Sequence, residues 1–356
     1  MRPHLPIFLG LFAVMALSNA IVPVLPGYAP GSTLQAGIFS AYFFGALLIT
    51  LPAGLLSDRF GRIPVLRFAL AATLASGLLL SFTTDPVLVI GARFLEGLGG
   101  GSFVAAAMSY VNALPDHRRE SGYLMAALNA GLVTGVALSG WLAAASGNPV
   151  AGIAALTIFT LVPAGLMAVV GRQEHPPGIP EHAVLMPALR DNCWIWYSSF
   201  ALVGITGVAT ALYPQYSGLP SDSLGLWIAA MNVATIVAVL VASRLPWEPA
   251  GVIRISAILM AAGILLTLFS PAGFIALGAL AGIVMIGQMA FLAKSGGDQG
   301  AVMGLFSTSG YLGMTALPLA AGLVADYAGF PWAFIAAAVV AVTVAVTIGR
   351  CATTGG

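Results

Sequence analysis

Twelve apolar stretches follow one another along the sequence, broken only at clusters of proline, glycine and charge: residues 6–25, 33–56, 64–84, 86–112, 120–145, 150–170, 193–213, 223–243, 250–270, 272–293, 300–325 and 331–349. A helix needs about 20 apolar residues to cross a hydrocarbon core about 30 Å thick, so each stretch is read as a transmembrane helix. Twelve spans occupy most of a 356-residue chain. They leave only short connections, which excludes a soluble enzyme carried on a membrane anchor. Composition agrees: 59% of residues are hydrophobic and 7% charged, where soluble domains carry about 25% charged residues. The first residues imitate a secretory leader, with a basic start and small residues near Ala20. The apolar run continues to Leu25, however, and the stretch is kept as the first span. The predicted fold class is an all-α integral membrane protein.

Net charge is +1, from 13 Lys and Arg against 12 Asp and Glu, with no concentrated basic face of the kind nucleic acid requires. Placement is more informative than the sum. With the N-terminus inside, the cytoplasmic segments and adjacent span ends hold Arg2, Arg59, Arg62, Arg67, Arg118, Arg119, Arg172, Arg190, Arg244, Arg254, Lys294 and Arg350, leaving Arg93 inside a span. The outer loops carry Asp85, Asp222 and Asp326 instead. The positive-inside rule then predicts an even span count and two cytoplasmic termini. Trp141, Trp194, Trp196, Trp227, Trp247 and Trp332 all fall at or just beyond span ends, the expected pattern of an interfacial belt. Cys193 and Cys351 fall at cytoplasmic ends, where thiols stay reduced, and are read as unpaired. His4, His117, His175 and His182 are likewise in cytoplasmic segments, so no intramembrane metal cluster or histidine relay is expected. No phosphate-binding glycine-rich motif points to ATP hydrolysis, and no cofactor is expected.

The longest connection, GRQEHPPGIPEHAVLMPALRDN, is rich in proline and mixed charge and reads as a linker over residues 171–192. Six spans precede it, in 1–170, and six follow, in 193–356. A shift of 182 residues superimposes Gly131 on Gly313, Gly140 on Gly322, Gly91 on Gly273 and Arg62-Ile63-Pro64 on Arg244-Leu245-Pro246. A tandem duplication is the simplest cause.

After the second span stands GLLSDRFGRIPVL, where Gly54, Leu56, Asp58, Arg59, Gly61, Arg62 and Leu66 match the pattern G-x-L-x-D-R-x-G-R-[KR]-x-x-[LIV]. Here the sequence resembles the major facilitator superfamily, with Ile63 replacing the usual base. The tight turn needs Gly61, while Asp58 and the arginines can pair at the ends of neighbouring helices. The plain alternative is a generic polar turn. The resemblance implies a conformational latch formed by Gly54, Asp58, Arg59, Gly61 and Arg62. At the repeat position Leu240 stands where Asp58 would recur, so a latch is expected in the first half alone.

In the fourth span, Arg93, Gly97 and Gly99 match R-x-x-x-G-x-G, a pattern of proton-linked members. Charge within a span is costly, and three-residue spacing puts Glu96 beside Arg93 on the helix. Counting from Val87 at 1.5 Å per residue sets Glu96 roughly 13–14 Å deep, near the middle of the core. Two readings stay open: a proton-responsive carboxylate tuned by Arg93, or a permanent ion pair holding helices together. In span five, Gly131, Gly135 and Gly140 resemble the antiporter pattern g-x-x-x-G-P-x-x-G-G, but Val136 and Ser139 depart from it. Without the proline the expected kink is lost, and simple small-residue helix packing serves equally well. Span eleven retains Pro318 and Gly322.

Asn19, Asn129, Asn232, Gln288 and Tyr311 are polar residues within spans. Each can serve only to bond a neighbouring helix; together they can line a mildly polar cavity at the midplane. The resemblance implies a secondary transporter of the twelve-span drug/proton antiporter branch, built as two pseudo-symmetric six-helix bundles rocking about a central site, with spans 1, 4, 7 and 10 lining most of it. The expected activity is proton-coupled efflux of a small amphipathic or hydrophobic compound across the cytoplasmic (inner) membrane. The expected partners are that substrate, protons and the lipid bilayer, with the chain acting as a monomer. Uptake of a metabolite by proton symport or facilitation remains an alternative, as does a non-transporting receptor or scaffold. A lipid-modifying enzyme would need converging His, Asp or Cys groups, and none converge.

Overall fold

The computed structural model describes residues 4–171, 193–245, 247–294 and 299–348. The expected linker at 172–192 lies outside them, as do Arg2, Arg350, Cys351 and the side chains of Asp58, His117, Arg118 and Lys294. The described residues form helices and no strands, the solution open to a chain whose peptide groups must be satisfied without water. In order they are α1 His4–Ala20, α2 Ser32–Phe60, α3 Arg62–Phe82, α4 Pro86–Asn112, α5 His117–Ser146, α6 Ala151–Ala168, α7 Cys193–Ser217, α8 Ser221–Ala242, α9 Pro249–Leu266, α10 Gly273–Lys294, α11 Gln299–Ala328 and α12 Phe330–Thr347. Eleven of these, α2 to α12, are long and apolar enough to cross a membrane. The 17-residue α1 is shorter and is continued by a 3-10 helix over Val22–Gly27. Pro23 explains the break, because it has no N–H with which to extend the α-helical ladder.

Three ends differ from expectation. The α2 helix runs through Asp58 and Arg59 to Phe60, so the motif read as a loop is a last helical turn, and Gly61 alone links it to α3. Gly61 has φ +90°, open to glycine and strained for other residues. The α5 helix begins at His117 and the α11 helix reaches Ala328, taking Arg119 and Asp326 into helix. Hydropathy misses such ends because a helix can continue through charged residues where a span meets water. What stops α5 and α11 is backbone conformation: Gly147 takes the left-handed conformation that caps helices, with φ +67° and ψ 11°, and Gly329 an extended positive-φ conformation open to glycine, with φ +95° and ψ 159°. These two glycines are themselves separated by the 182-residue repeat. Trp196 also departs from expectation. It is buried, whereas Trp141, Trp247 and Trp332 are exposed.

The chain folds as two compact units. The first holds α1, most of α2, α3 to α6 and the first turns of α8; the second holds the start of α2, α7, the remainder of α8 and α9 to α12. In the first unit, α1 packs on α4, α5 and α6, while α3 packs on α4 and α6. In the second, α7 packs on α10, α11 and α12, while α9 packs on α10 and α12. Each neighbour relation therefore recurs six helices later. The first unit's core joins Ile7, Leu11 and Val14 of α1 to Leu66 and Leu70 of α3 and Phe103 of α4.

Candidate functional site

Helix α4 starts cleanly: Asp85 precedes Pro86, and its carboxylate accepts from the amides of Val87 and Leu88 at 3.0 Å each. Two turns on, Arg93 and Glu96 lie on one face, 1% and 0% exposed. Arg93 Nη1 donates to Glu96 Oε2 at 2.5 Å and to the Ser18 carbonyl at 2.9 Å. The carbonyl is available because α1 ends at Ala20, and the last carbonyls of a helix lack amide partners. A cation there also meets the negative end of the helix dipole. The Arg93 guanidinium stands 4.9 Å from the centroid of the Tyr42 ring, within cation–π range. Glu96 Oε1 is buried and has no hydrogen-bond partner among the described residues. A buried acceptor without a donor is rare in folded proteins and calls for a reason.

Glycine brings Tyr42 within reach. A Cβ at Gly97 would collide with the Tyr42 carbonyl, and one at Gly45 with the Phe94 carbonyl, so the α2 and α4 backbones touch directly. Gly99 is likewise packed against Ala69 and Thr73 of α3. On α5, side chains at Gly131 and Gly135 would strike the carbonyls of Phe12 and Ala16 of α1. Gly140 faces Ser221 of α8, whose hydroxyl donates to the Gly140 carbonyl at 3.2 Å. The repeat-related residues do the same in the second unit: a Cβ at Gly313 would strike the Phe200 carbonyl of α7, and one at Gly322 would crowd the Ser32 carbonyl of α2. There Asp326 accepts from the amides of Ser32 and Thr33, both at 2.9 Å, and from the Thr33 hydroxyl at 2.5 Å. Asp85 and Asp326, read from sequence as outer-loop charges, thus both satisfy helix N-termini.

In the α2–α3 motif, Arg62 Nε donates to Ser109 Oγ of α4 at 2.9 Å. Arg59 is exposed beside the Phe60 ring, 5.4 Å from its centroid. Gly54 has open space around it and no steric need to be glycine. A role that sequence reasoning missed belongs to Arg67, which donates to the carbonyls of Met167, Ala168 and Val170 at the end of α6. Arg254 of α9 does likewise to Ile348 at the end of α12, at 2.9 Å. Both had been read only as positive-inside charges.

Of the five polar residues, Asn19 and Asn129 donate to Met15 and Met125 one turn earlier on their own helices, at 3.4 and 2.8 Å. Asn232 and Gln288 come together in the second unit, around a cavity of about 220 Å³. Thr206, Met231, Met285 and Phe306 also line it, so α7, α8, α10 and α11 all contribute. Gln288 is 1% exposed and its Nε2 donates to Ser198 Oγ at 2.9 Å. Tyr311, half-buried on α11, is not among the described residues lining this cavity.

Residues 7–294 match the family model described as Major Facilitator Superfamily. The tetracycline resistance protein, class H, of Pasteurella multocida is 26% identical over 348 residues, covering 88% of this chain and 86% of that protein. Multidrug resistance protein 2 of Bacillus subtilis (strain 168) is 24% identical over 253 residues, covering 65% of this chain and 62% of that protein. Among solved structures, that of the nucleoside transporter NupG superposes with a TM-score of 0.76 at 12% identity, over 99% of both chains. A bacterial homolog of the human lysosomal transporter Spinster, inward-facing and unoccupied, superposes at 0.75 with 11% identity, over 97% of this chain and 96% of that one. Likeness at this identity shows the fold.

Proposed function

The chain belongs to the Major Facilitator Superfamily, and we propose that it is a secondary transporter exporting a small amphipathic or hydrophobic compound in exchange for protons. Membership makes it a multi-pass membrane transporter and not an enzyme. On this reading, residues 1–170 and 193–356 form two six-helix halves joined by the 171–192 linker, with both termini cytoplasmic, and the halves rock about a central site. The names of the relatives, a tetracycline resistance protein and a multidrug resistance protein, support export.

The observation that carries proton coupling is the unpartnered Glu96 Oε1. One oxygen of the carboxylate holds Arg93; the other is an acceptor that a proton can satisfy. Protonation removes the negative charge opposite Arg93 and leaves the Ser18 carbonyl and the Tyr42 ring among its remaining partners. On this reading, gain and loss of that proton change how Arg93 ties α4 to α1 and α2. The test is Glu96→Gln in proteoliposomes. Glutamine keeps size and hydrogen bonding but cannot release a proton. Substrate-induced proton movement should vanish while substrate exchange persists. An unchanged proton-to-substrate stoichiometry would make the pair a structural bridge.

A further inference from the structure

We infer that the cavity of the second unit binds an uncharged compound through a single aromatic ring, seated where the repeat-related helix of the first unit places the ring of Tyr42. Glycine contacts set the correspondence between the units. A Cβ at Gly97 of α4 would strike the Tyr42 carbonyl of α2, and one at Gly278 of α10 the Met231 carbonyl of α8. One turn on, Gly101 packs on Ala46 and Ile49, and Gly282 on Thr235 and Ala238. Tyr42 therefore corresponds to Met231, Phe43 to Asn232 and Gly100 to Ala281. In the first unit Tyr42 is buried, and its hydroxyl lies over Gly100, where a Cβ would collide with it. In the second unit both aromatic residues are gone. Met231, Asn232, Gly278 and Ala281 line the cavity of about 220 Å³ instead. The opening lies along the seam that a tyrosine ring closes in the other half.

Size, surface and charge agree with that occupant. A cavity of about 150 Å³ suffices for benzene, so this one takes a ring with a short substituent, or the leading ring of a larger molecule. Met231 and Met285 bring polarizable sulfur, which packs favourably on rings, and Phe306 offers an aromatic partner. Thr206, Asn232, Thr235 and Gln288 supply polar groups for the substituent. Among the described lining residues there is no Asp, Glu, Lys, Arg or His. Where α4 carries Arg93 and Glu96, the same register puts Phe274 and Leu277 on α10, both 0% exposed. A charged ligand would lose its hydration with no counter-charge to replace it. That this ligand is the transported compound rests on the reading under Proposed function; its recognition does not.

The test is binding to the purified full-length protein in detergent, by saturation-transfer NMR titration, with benzyl alcohol, cyclohexylmethanol and benzylamine as probes. Each probe's partition into protein-free micelles is subtracted. Benzyl alcohol presents an uncharged aromatic ring, cyclohexylmethanol the same skeleton without aromaticity, and benzylamine a cation at neutral pH. Contacts of the ring with methionine sulfur and Phe306 should make benzyl alcohol bind on the order of fivefold tighter than cyclohexylmethanol. Met231→Leu with Met285→Leu, which conserves volume, should bring that ratio toward one. Met231→Tyr with Ala281→Gly installs the pair found in the first unit and should abolish benzyl alcohol binding. The assay needs neither a membrane nor a proton gradient, so its outcome is independent of whether Glu96→Gln uncouples transport. Equal binding of benzyl alcohol and cyclohexylmethanol to the wild type would overturn the proposal. So would benzylamine binding as tightly as benzyl alcohol, or undiminished binding by a folded Met231→Tyr, Ala281→Gly protein. Should that variant fail to fold, the leucine pair decides, and an unchanged ratio there counts against the proposal.

Discussion

At the scale of single residues, the described structure keeps carboxylates and guanidinium groups out of its interior except for one pair, and it gives helix ends to five of the others. Arg67, Arg254, Asp85, Glu248 and Asp326 each bond the terminal backbone of a helix. Carboxylates sit at N-termini and guanidinium groups at C-termini, as the helix dipole favours. Asp326 is the most telling, because the helix it caps lies 294 residues away in sequence. Replacing it with alanine removes the acceptor for two backbone amides. The exposed site sets the cost at the lower end of the N-cap range, about 0.5–1 kcal/mol. Asp326→Ala should therefore lower the thermal midpoint in detergent, and Asp326→Asn, which retains an acceptor oxygen, should lower it less. Equal midpoints for wild type and Asp326→Ala would show that the contact adds nothing to the fold.

At the scale of elements, several of the closest helix contacts pass through glycine. The α1–α5 contact passes through Gly131 and Gly135, and the α2–α4 contact through Gly45 and Gly97. Gly135→Val would drive a branched side chain into the Ala16 carbonyl, and overpacking of this kind costs about 1–3 kcal/mol. Thermal unfolding should detect it, whereas Gly54→Ala, in open space on a helix, should unfold at or above the wild-type midpoint. A Gly135→Val protein as stable as wild type would mean that the helices separate freely here. This is also where sequence reading divides into what it can and cannot reach. The helices are legible because apolar runs of the right length admit one solution in lipid. The ends at Phe60 and Ala328 are not, since glycine dihedrals rather than hydropathy stop the chain. The Arg93–Glu96 pairing is legible from three-residue spacing, but Ser18 and Tyr42 are not. Ser18 contributes a backbone carbonyl, which every residue has, and Tyr42 reaches Arg93 only because Gly97 lets two backbones meet. Likewise Asn232 and Gln288 stand out as polar residues in spans, while Thr206 joins them only once the fold brings α7, α8 and α10 around one cavity.

At the scale of the whole molecule, the neighbour pattern of α1 to α6 recurs in α7 to α12, and Gly131, Gly140 and Gly147 have packing or dihedral counterparts in Gly313, Gly322 and Gly329. The even span count proposed for this chain has a direct check. With Cys193 and Cys351 replaced by serine, a cysteine at Thr84 or Asn148, both exposed, should react with a membrane-impermeant maleimide on intact cells. A cysteine at exposed Arg119 should react only after permeabilisation. Labelling of all three from one side would refute the topology. The buried pair carries a further consequence, for how such a chain is made. Synthesis runs from the N-terminus, so α1 and α2 precede α4 into the bilayer. Each charge at the centre of an inserting helix costs about 2.5–3.5 kcal/mol, and α4 brings two. The carbonyl that receives Arg93 belongs to Ser18, 75 residues earlier, and the Tyr42 ring also comes from a helix already delivered. The nascent fourth helix therefore arrives at a berth its predecessors have prepared. A chain begun after α1 would hand its arginine to lipid, with no carbonyl waiting.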